Sequence, residues 1–517
     1  MSQAEVVARD GMVTAGHRLA AEAGVEMLRR GGNAVDAATA AAWVVGVVEP
    51  WMSGVGGVGA MVVHHAGRQL VADFGLRAPL AARPDMYTLL TAEGPQRQYG
   101  WPAVKDGENQ DGHRAVGVPG VPAALCLVHQ RLGNLPRHVV MQPAISLAAN
   151  GFEADWYTSL IVGLDLAPLR RFPRAAEIFL VDGAIPPRPS VLLSTPDRIV
   201  QRDLAATLSR IATDGPDVFY RGEIAKAIAD DMRAHGGLLF EEDLAAYRPR
   251  IYDAAARGRY RGLDVLGVPG PTSARVVQGI LDGLEGHDLA RTGPATVNGL
   301  DLIARACRRA YEDFFAHAGT DEHTTHVCAV DRDRNAVSVT LTLGNLFGSH
   351  VVVPGTGIVL NDMMLLFDPR PGHANSIAGG KWQATPVAPT LLLDRGRLRA
   401  VLGTPGGRRI PTAIAQIIVN LVDRGLGMQD AIAAPRLHAE GAEILLDDRF
   451  EAAVFDGLRA LGHHVAAGEK TPCSFNFAQP NGIEVGADDR LHGGADPHTP
   501  ATAVGFATRR AAAAASS

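Results

Sequence analysis

The sequence predicts an α+β chain folded as one sandwich, with two antiparallel sheets packed between helix layers. Alternating runs carry the strand half of that expectation. Val327, Ala329 and Asp331 alternate with His326, Cys328 and Val330, and Val337, Val339, Leu341 and Leu343 alternate with Ser338, Thr340 and Thr342. A period of two over that length marks strands, and the polar stretch Asp331 to Asn335 supplies a hairpin turn. Amphipathic and apolar helical patterns carry the other half. The third observation is negative: no internal repeat and no Pro/Gly/Ser-rich linker divides the 517 residues, so the two halves are expected to share one sandwich.

Composition narrows the class. An apolar fraction of 47% with 20% charged residues is that of a globular protein with ample core. A net charge of −6 without runs of like charge gives no footprint for nucleic acid or for a polybasic membrane patch. Cys126, Cys307, Cys328 and Cys473 lie far apart with no CxxC and no metal-ligand spacing, so they read as buried free thiols in a reducing compartment. The first residues carry Glu5, Arg9 and Asp10 and no apolar core of signal-peptide length. The expected location is therefore cytoplasmic. The most apolar stretch, Ala37 to Val48, is too short to span a bilayer.

Along the chain, Gly11 to Ala15 reads as a short strand. His17 to Arg30 places Leu19, Ala23 and Leu28 among charges and reads as a helix stopped by Gly31-Gly32. Asn33 is the expected N-cap of a second, apolar helix. Gly54-Val55-Gly56-Gly57-Val58-Gly59 contains GxGxxG, but the dinucleotide fingerprint needs a strand before it and a helix after it. Here a helix precedes, and Ala60 to His65 reads as a strand. The glycines serve close backbone approach instead. Residues 115 to 320 read as helices with turns. Ile414 to Arg424 reads as an apolar helix stopped by Gly425, and Arg509 to Ser517 as a disordered Ala-rich tail.

The hairpin opens with Thr324-Thr325-His326. If the chain is cut before Thr324, the new α-amine lies beside the Thr324 hydroxyl and acts as its base. This stretch resembles the self-processing point of the γ-glutamyltransferase (γ-glutamyltranspeptidase) family of N-terminal-nucleophile hydrolases. The resemblance runs from Gly11 to about Pro497, and includes Gly-Gly-Asn-Ala-Val-Asp-Ala-Ala at 31–38. It implies the four-layer αββα sandwich of that superfamily and cleavage between His323 and Thr324. The products are a large subunit, 1–323, and a small subunit, 324–517, which stay together as a heterodimer.

By the same resemblance, Thr324 is the nucleophile and Thr342 orients it. In Gly403-Thr404-Pro405-Gly406-Gly407, the amides of Gly406 and Gly407 form the oxyanion hole, each donor being worth roughly 3–4 kcal/mol in such sites. An α-amine with a pKa near ~8 takes the hydroxyl proton at neutral pH. No metal and no organic cofactor is required.

The positions through which the family grips a glutamyl head group depart from its pattern. Gly75 stands where the carboxylate-binding arginine is expected, leaving Arg77 and Arg275 as candidate substitutes. Met363 and Leu366 occupy the places of a Gln and of the Asp that binds the α-amine. Thr385-Pro386 replaces a Ser-Ser pair. Gly344 stands at a frequent Asn, with Asn345 adjacent, and Asn361 keeps its family identity. Burying a zwitterion against Met363 and Leu366 is costly. The expected activity is thus hydrolysis or acyl transfer on a small molecule other than glutathione. The apolar replacements suit the branch that cleaves a carbon–carbon bond beside a carbonyl in alkylproline antibiotic biosynthesis. A genuine γ-glutamyl enzyme using Arg77 or Arg275, and an inactive binding scaffold, are the alternatives.

Overall fold

A computed structural model describes residues 4–90, 101–191, 194–270, 272–293, 295–315, 323–383 and 387–507. Fourteen strands build its two large sheets: β1 (Val6–Ala8), β2 (Gly11–Ala15), β3 (Val58–His65), β4 (Arg68–Phe74), β5 (Arg250–Tyr252), β6 (Ala256–Tyr260), β7 (Leu263–Gly267), β8 (His323–Asp331), β9 (Ala336–Gly344), β10 (Thr390–Asp394), β11 (Arg397–Gly403), β12 (Asn481–Val485), β13 (Leu491–Ala495) and β14 (Thr502–Phe506). One sheet has the order β14-β2-β8-β9-β3-β4-β5, the other β1-β13-β12-β11-β10-β7-β6. Neighbours in both are antiparallel.

Strand alternation produces the layers. In β8, Val327 and Ala329 join the apolar cluster that holds the helices Arg18–Arg29 and Ala34–Val48. Cys328 and Val330 face the other way, into a core shared with Leu391, Val401 and Ile483 of the second sheet. Leu392, Ala400 and Leu402 in turn pack on the helices Ser273–Glu285 and Ile410–Val422. Three apolar interfaces in series, helix–sheet, sheet–sheet and sheet–helix, make the αββα sandwich. Because β8 and β9 lie inside the first sheet, the start of β8 sits at one end of the inter-sheet layer.

The expected helices appear as Arg18–Arg29 and Ala34–Val48, the second with an Asn33 cap that accepts from the amides of Val35 and Asp36. The glycine-rich turn does allow close approach: a Cβ on Gly57 would come within 2.5 Å of the Thr342 carbonyl oxygen. Two readings need correction. Residues 115 to 320 are not only helices with turns, since β5, β6 and β7 fall inside them. Their alternating face is polar, with Arg257 and Arg259 pointing outward, so no apolar period announces them. The missed signal is Arg261-Gly262, both with positive φ, a tight hairpin turn. Cys473 is exposed, whereas the other three thiols are buried. Among the described residues, no helix is long and apolar enough to cross a membrane. The tail from Arg509 lies outside the described residues.

Candidate active site

The hairpin register puts Thr324 directly opposite Thr342. One step earlier His323 pairs with Gly344, so the register shifts between His323 and Thr324. A bulge of this kind bends the strand and disrupts the ladder at one peptide. Strand parity places Thr324 and Thr342 on the inter-sheet face, together with His326, Thr340 and Ser338. Thr325 points to the helix side.

Thr324 is 1% exposed, yet among the described residues its hydroxyl has no hydrogen-bond partner. Buried hydroxyls are paired in nearly all native structures, and an orphan calls for an explanation. It lies on a narrow cavity lined also by Gly16, Glu49, Met52, Tyr157, Pro405, Gln479, Asn481 and Thr499. About 10 Å³ of that cavity is open to a water-sized sphere, room for about one water. Glu49 closes the C-terminal end of the helix Ala34–Val48. Its Oε2 accepts from the Thr325 hydroxyl at 2.7 Å. Burial pushes the Glu49 carboxyl up to about 7, against the pull of that hydrogen bond.

His326 is fully buried in the inter-sheet layer. Its Nδ1 meets Thr340 Oγ1 at 2.8 Å, and its Nε2 lies 3.2 Å from Cys328 Sγ. Burial pushes the imidazole down to about 3, so it stays neutral. Asn481 ties the layer together: Nδ2 donates to the His326 carbonyl at 3.0 Å and Oδ1 accepts from Thr14 Oγ1 at 2.7 Å. His326 is thus a core histidine that fixes the strand behind Thr324.

The turn Thr404–Gly407 enters from the second sheet, where β11 ends at Gly403, and Pro405 lines the Thr324 cavity. Gly406 caps the short helix Gly407–Arg409, which leads into the helix Ile410–Val422. First-turn amides of a helix have no intrahelical acceptor; of this turn, Pro405 lines the Thr324 cavity, while Gly406 and Gly407 are not among its lining residues. Gly406 has φ +136°, and a Cβ there would meet Ala478 at 2.7 Å. Ala478 itself is held by a buried ion cluster. Lys470 Nζ donates to the Ala478 carbonyl at 3.0 Å and to Asp496, and Arg436 Nη2 donates to the Phe477 carbonyl at 3.1 Å. Burial pushes Lys470 down to about 8. Burial alone would raise Asp496, but Lys470, His498 and Arg436 hold it well below the usual carboxylate range.

The chain is similar to known proteins. The γ-glutamyltranspeptidase family model matches residues 20–319 and 312–506. This chain belongs to the γ-glutamyltranspeptidase family. It is 37% identical to the acylase ACY 1 proenzyme of Pseudomonas sp. (strain SE83), over 92% of this chain and 91% of that one. It is 32% identical to the glutathione hydrolase proenzyme of Escherichia coli (strain K12), over 96% and 91%. The crystal structure of cephalosporin acylase from Bacillus halodurans superposes with a TM-score of 0.86 at 26% identity, covering 98% of each chain. The chain is therefore an enzyme of an N-terminal-nucleophile hydrolase and transferase family, with acylases and glutathione hydrolases as its relatives.

Against that family background, the positions expected to hold substrate scatter. Arg77 spends its guanidinium on two backbone carbonyls, Gly380 at 3.3 Å and Ala246 at 3.2 Å. Arg275 is exposed and lines a separate cavity with Arg257 and Gln278. Neither is among the residues lining the Thr324 cavity. Asn361 is a scaffold clamp: Nδ2 donates to the Gly56 and Gly117 carbonyls, and Oδ1 accepts from the amides of Gly117 and Met363.

Met363 and Leu366 are buried in an apolar cluster with Val58, Leu76 and Phe367. Thr385 and Pro386 lie outside the described residues, as does the side chain of His323. Asn345 donates through its amide and Nδ2 to Asp362, at 2.9 and 2.7 Å. Burial pushes Asp362 up to about 8, opposed by those bonds. Its Oδ1 lies where a Cβ on Gly344 would fall, at 1.8 Å, which explains the glycine at this position.

Glu49, Tyr157, Gln479, Asn481 and Thr499 were not anticipated. Gln479, Asn481 and Thr499 come from loops or a distant strand, and Tyr157 from the helix Trp156–Leu164, none with a local motif. Glu49 alone carried a signal, as the one carboxylate ending the apolar run Ala37 to Val48.

Proposed function

We propose that the chain cleaves itself between His323 and Thr324, and that the exposed Thr324 then hydrolyses an amide whose acyl group carries no α-amino acid head. The observation that carries this reading is the buried Thr324 hydroxyl, without a partner among the described residues, opposite Thr342 and next to a register shift. In processing, Thr324 Oγ adds to the His323 carbonyl, the peptide C–N bond breaks as the ester forms, and water hydrolyses the ester. In turnover, the freed α-amine takes the hydroxyl proton as Oγ attacks the substrate carbonyl. The leaving amine receives that proton, and water returns Thr324. The Gly406 and Gly407 amides meet the oxyanion in both reactions.

The substrate class follows from the burial of Met363 and Leu366. Polar partners for a glutamyl α-amine are missing from those places, and an unpaired ammonium against them loses hydration without return. Acylases among the relatives fit the same reading. Hydrolysis of a carbon–carbon bond beside a carbonyl passes through the same acyl-enzyme, and product analysis distinguishes it.

The test is a panel of anilides on processed protein: γ-glutamyl, glutaryl and simple aliphatic acyl. Turnover of the acyl or glutaryl anilide well above the γ-glutamyl one supports the proposal. Preference for the γ-glutamyl anilide with a low KM overturns it and returns Arg77 or Arg275 to the carboxylate.

A further inference from the structure

Outside the Thr324 cavity, a cleft with about 600 Å³ of open volume is lined by residues of four separate segments. On one wall, His113 opens a short 3-10 turn, and Asp231 and His235 occupy the last turn of the helix Glu223–His235. Spacing of i, i+4 sets Asp231 and His235 on one helical face. Asp231 Oδ2 lies 2.9 Å from His113 Nε2, and Asp231 Oδ1 lies 3.2 Å from His235 Nδ1. One donor atom from each of the three residues falls within 4.8 Å of the other two. The imidazoles stack with centroids 4.4 Å apart.

We propose that His113, Asp231 and His235 bind a divalent transition-metal ion at the rim of this cleft. A tetrahedral ion with ligand bonds of about 2.0–2.1 Å separates its ligand atoms by about 3.3 Å. The two Asp231 contacts, one through each carboxylate oxygen, are close to that edge, and His235 Nδ1 also meets the Asp231 backbone carbonyl at 2.9 Å, a contact the ion would displace. The wider separation closes by rotation of His235, whose side chain is 55% exposed and so has room to turn. Asp231, 7% exposed, is the fixed anchor. The C-terminal end of a helix carries partial negative charge and favours a cation there. Two imidazoles and one carboxylate suit zinc, cobalt or nickel rather than calcium or magnesium, which prefer oxygen ligands. The remaining coordination positions face the cleft, so the ion keeps water. The ligands lie 118 and 122 positions apart from His113, which is why no sequence spacing announced them.

The site is independent of Thr324, and so is its test. Full-length, tag-free protein is mixed with cobalt(II), desalted, and assayed for retained cobalt and for visible d–d absorption. Stoichiometric retention with a ligand-field band is expected in wild type and unchanged in Thr324→Ala. His235→Ala, at an exposed position that leaves the fold intact, and Asp231→Asn should each lose at least ~10–100-fold in affinity, the loss known even for outer-shell partners. Failure of wild type to retain cobalt overturns the proposal. So does retention equal to that of wild type by His235→Ala and by the His113→Ala/His235→Ala double variant.

Discussion

Glu49→Gln tests the electrostatics around the proposed nucleophile with the least geometric disturbance. The glutamine carbonyl still accepts from the Thr325 hydroxyl, now 2.7 Å from Glu49 Oε2, and the volume is unchanged. The charge is not. Burial raises the Glu49 carboxyl from 4.5 to about 7 in the folded protein. Between those values the folded state holds a proton that the unfolded state has released. Stability therefore falls as pH rises through that window, and is level below and above it. A displacement of about 2.5 units corresponds to about 3 kcal/mol.

Glutamine does not titrate, so the wild-type-minus-variant difference in unfolding free energy should drop by about 3 kcal/mol from pH 4.5 to pH 8. Carboxyls that do not act on Glu49, Asp362 among them, cancel in the difference. Denaturant unfolding at several pH values measures it, with both proteins in a Thr324→Ala background so that each stays one chain. A difference that stays flat across the range refutes the buried, protonated Glu49.

Leu366→Asp places a carboxylate in a cluster where Leu366 is 0% exposed. It should cost more than the ~2–5 kcal/mol of a leucine truncation and yield little folded protein, rather than restore γ-glutamyl binding; soluble yield and circular dichroism check this. Asp496→Asn leaves buried Lys470 and Arg436 without their counter-charge and should cost ~3–5 kcal/mol, measured as a lowered denaturant midpoint with loss of the ordering behind Gly406. Gly344→Ala combines φ +104° with an overlap on Asp362 and should destabilise by ~1–3 kcal/mol or more, read by thermal melting.

The hairpin and the first two helices were legible because their apolar periods are long and unbroken, whereas the four-layer order rested on the family resemblance. β6 and β7 were not, because Arg257 and Arg259 fill one face and the strands are only five residues each. At the site, the chemistry-bearing residues that sit in short contiguous motifs, Thr324 with Thr325 and Pro405 with Gly406-Gly407, could be found by reading along the chain. Glu49, Gln479 and Asn481 could not be assigned, since only folding brings them within one cavity. The departures at Met363 and Leu366 were visible as residue types. That they are buried in one apolar cluster with Val58 and Leu76 needed the fold. Arg77 shows the opposite failure: a free-looking cation in the sequence is consumed by two backbone carbonyls in the fold.

The most direct test of the proposed nucleophile is intact-mass spectrometry of purified protein, before and after incubation with a slowly hydrolysed acyl ester. The expected wild-type result is two associated fragments, 1–323 and 324–517, the second beginning with Thr324 and gaining one acyl group at that residue. Thr324→Ala should remain a single 54.5 kDa chain with no adduct. An uncleaved wild type that still turns over substrate, or an adduct mapped to any other residue, contradicts an N-terminal threonine mechanism.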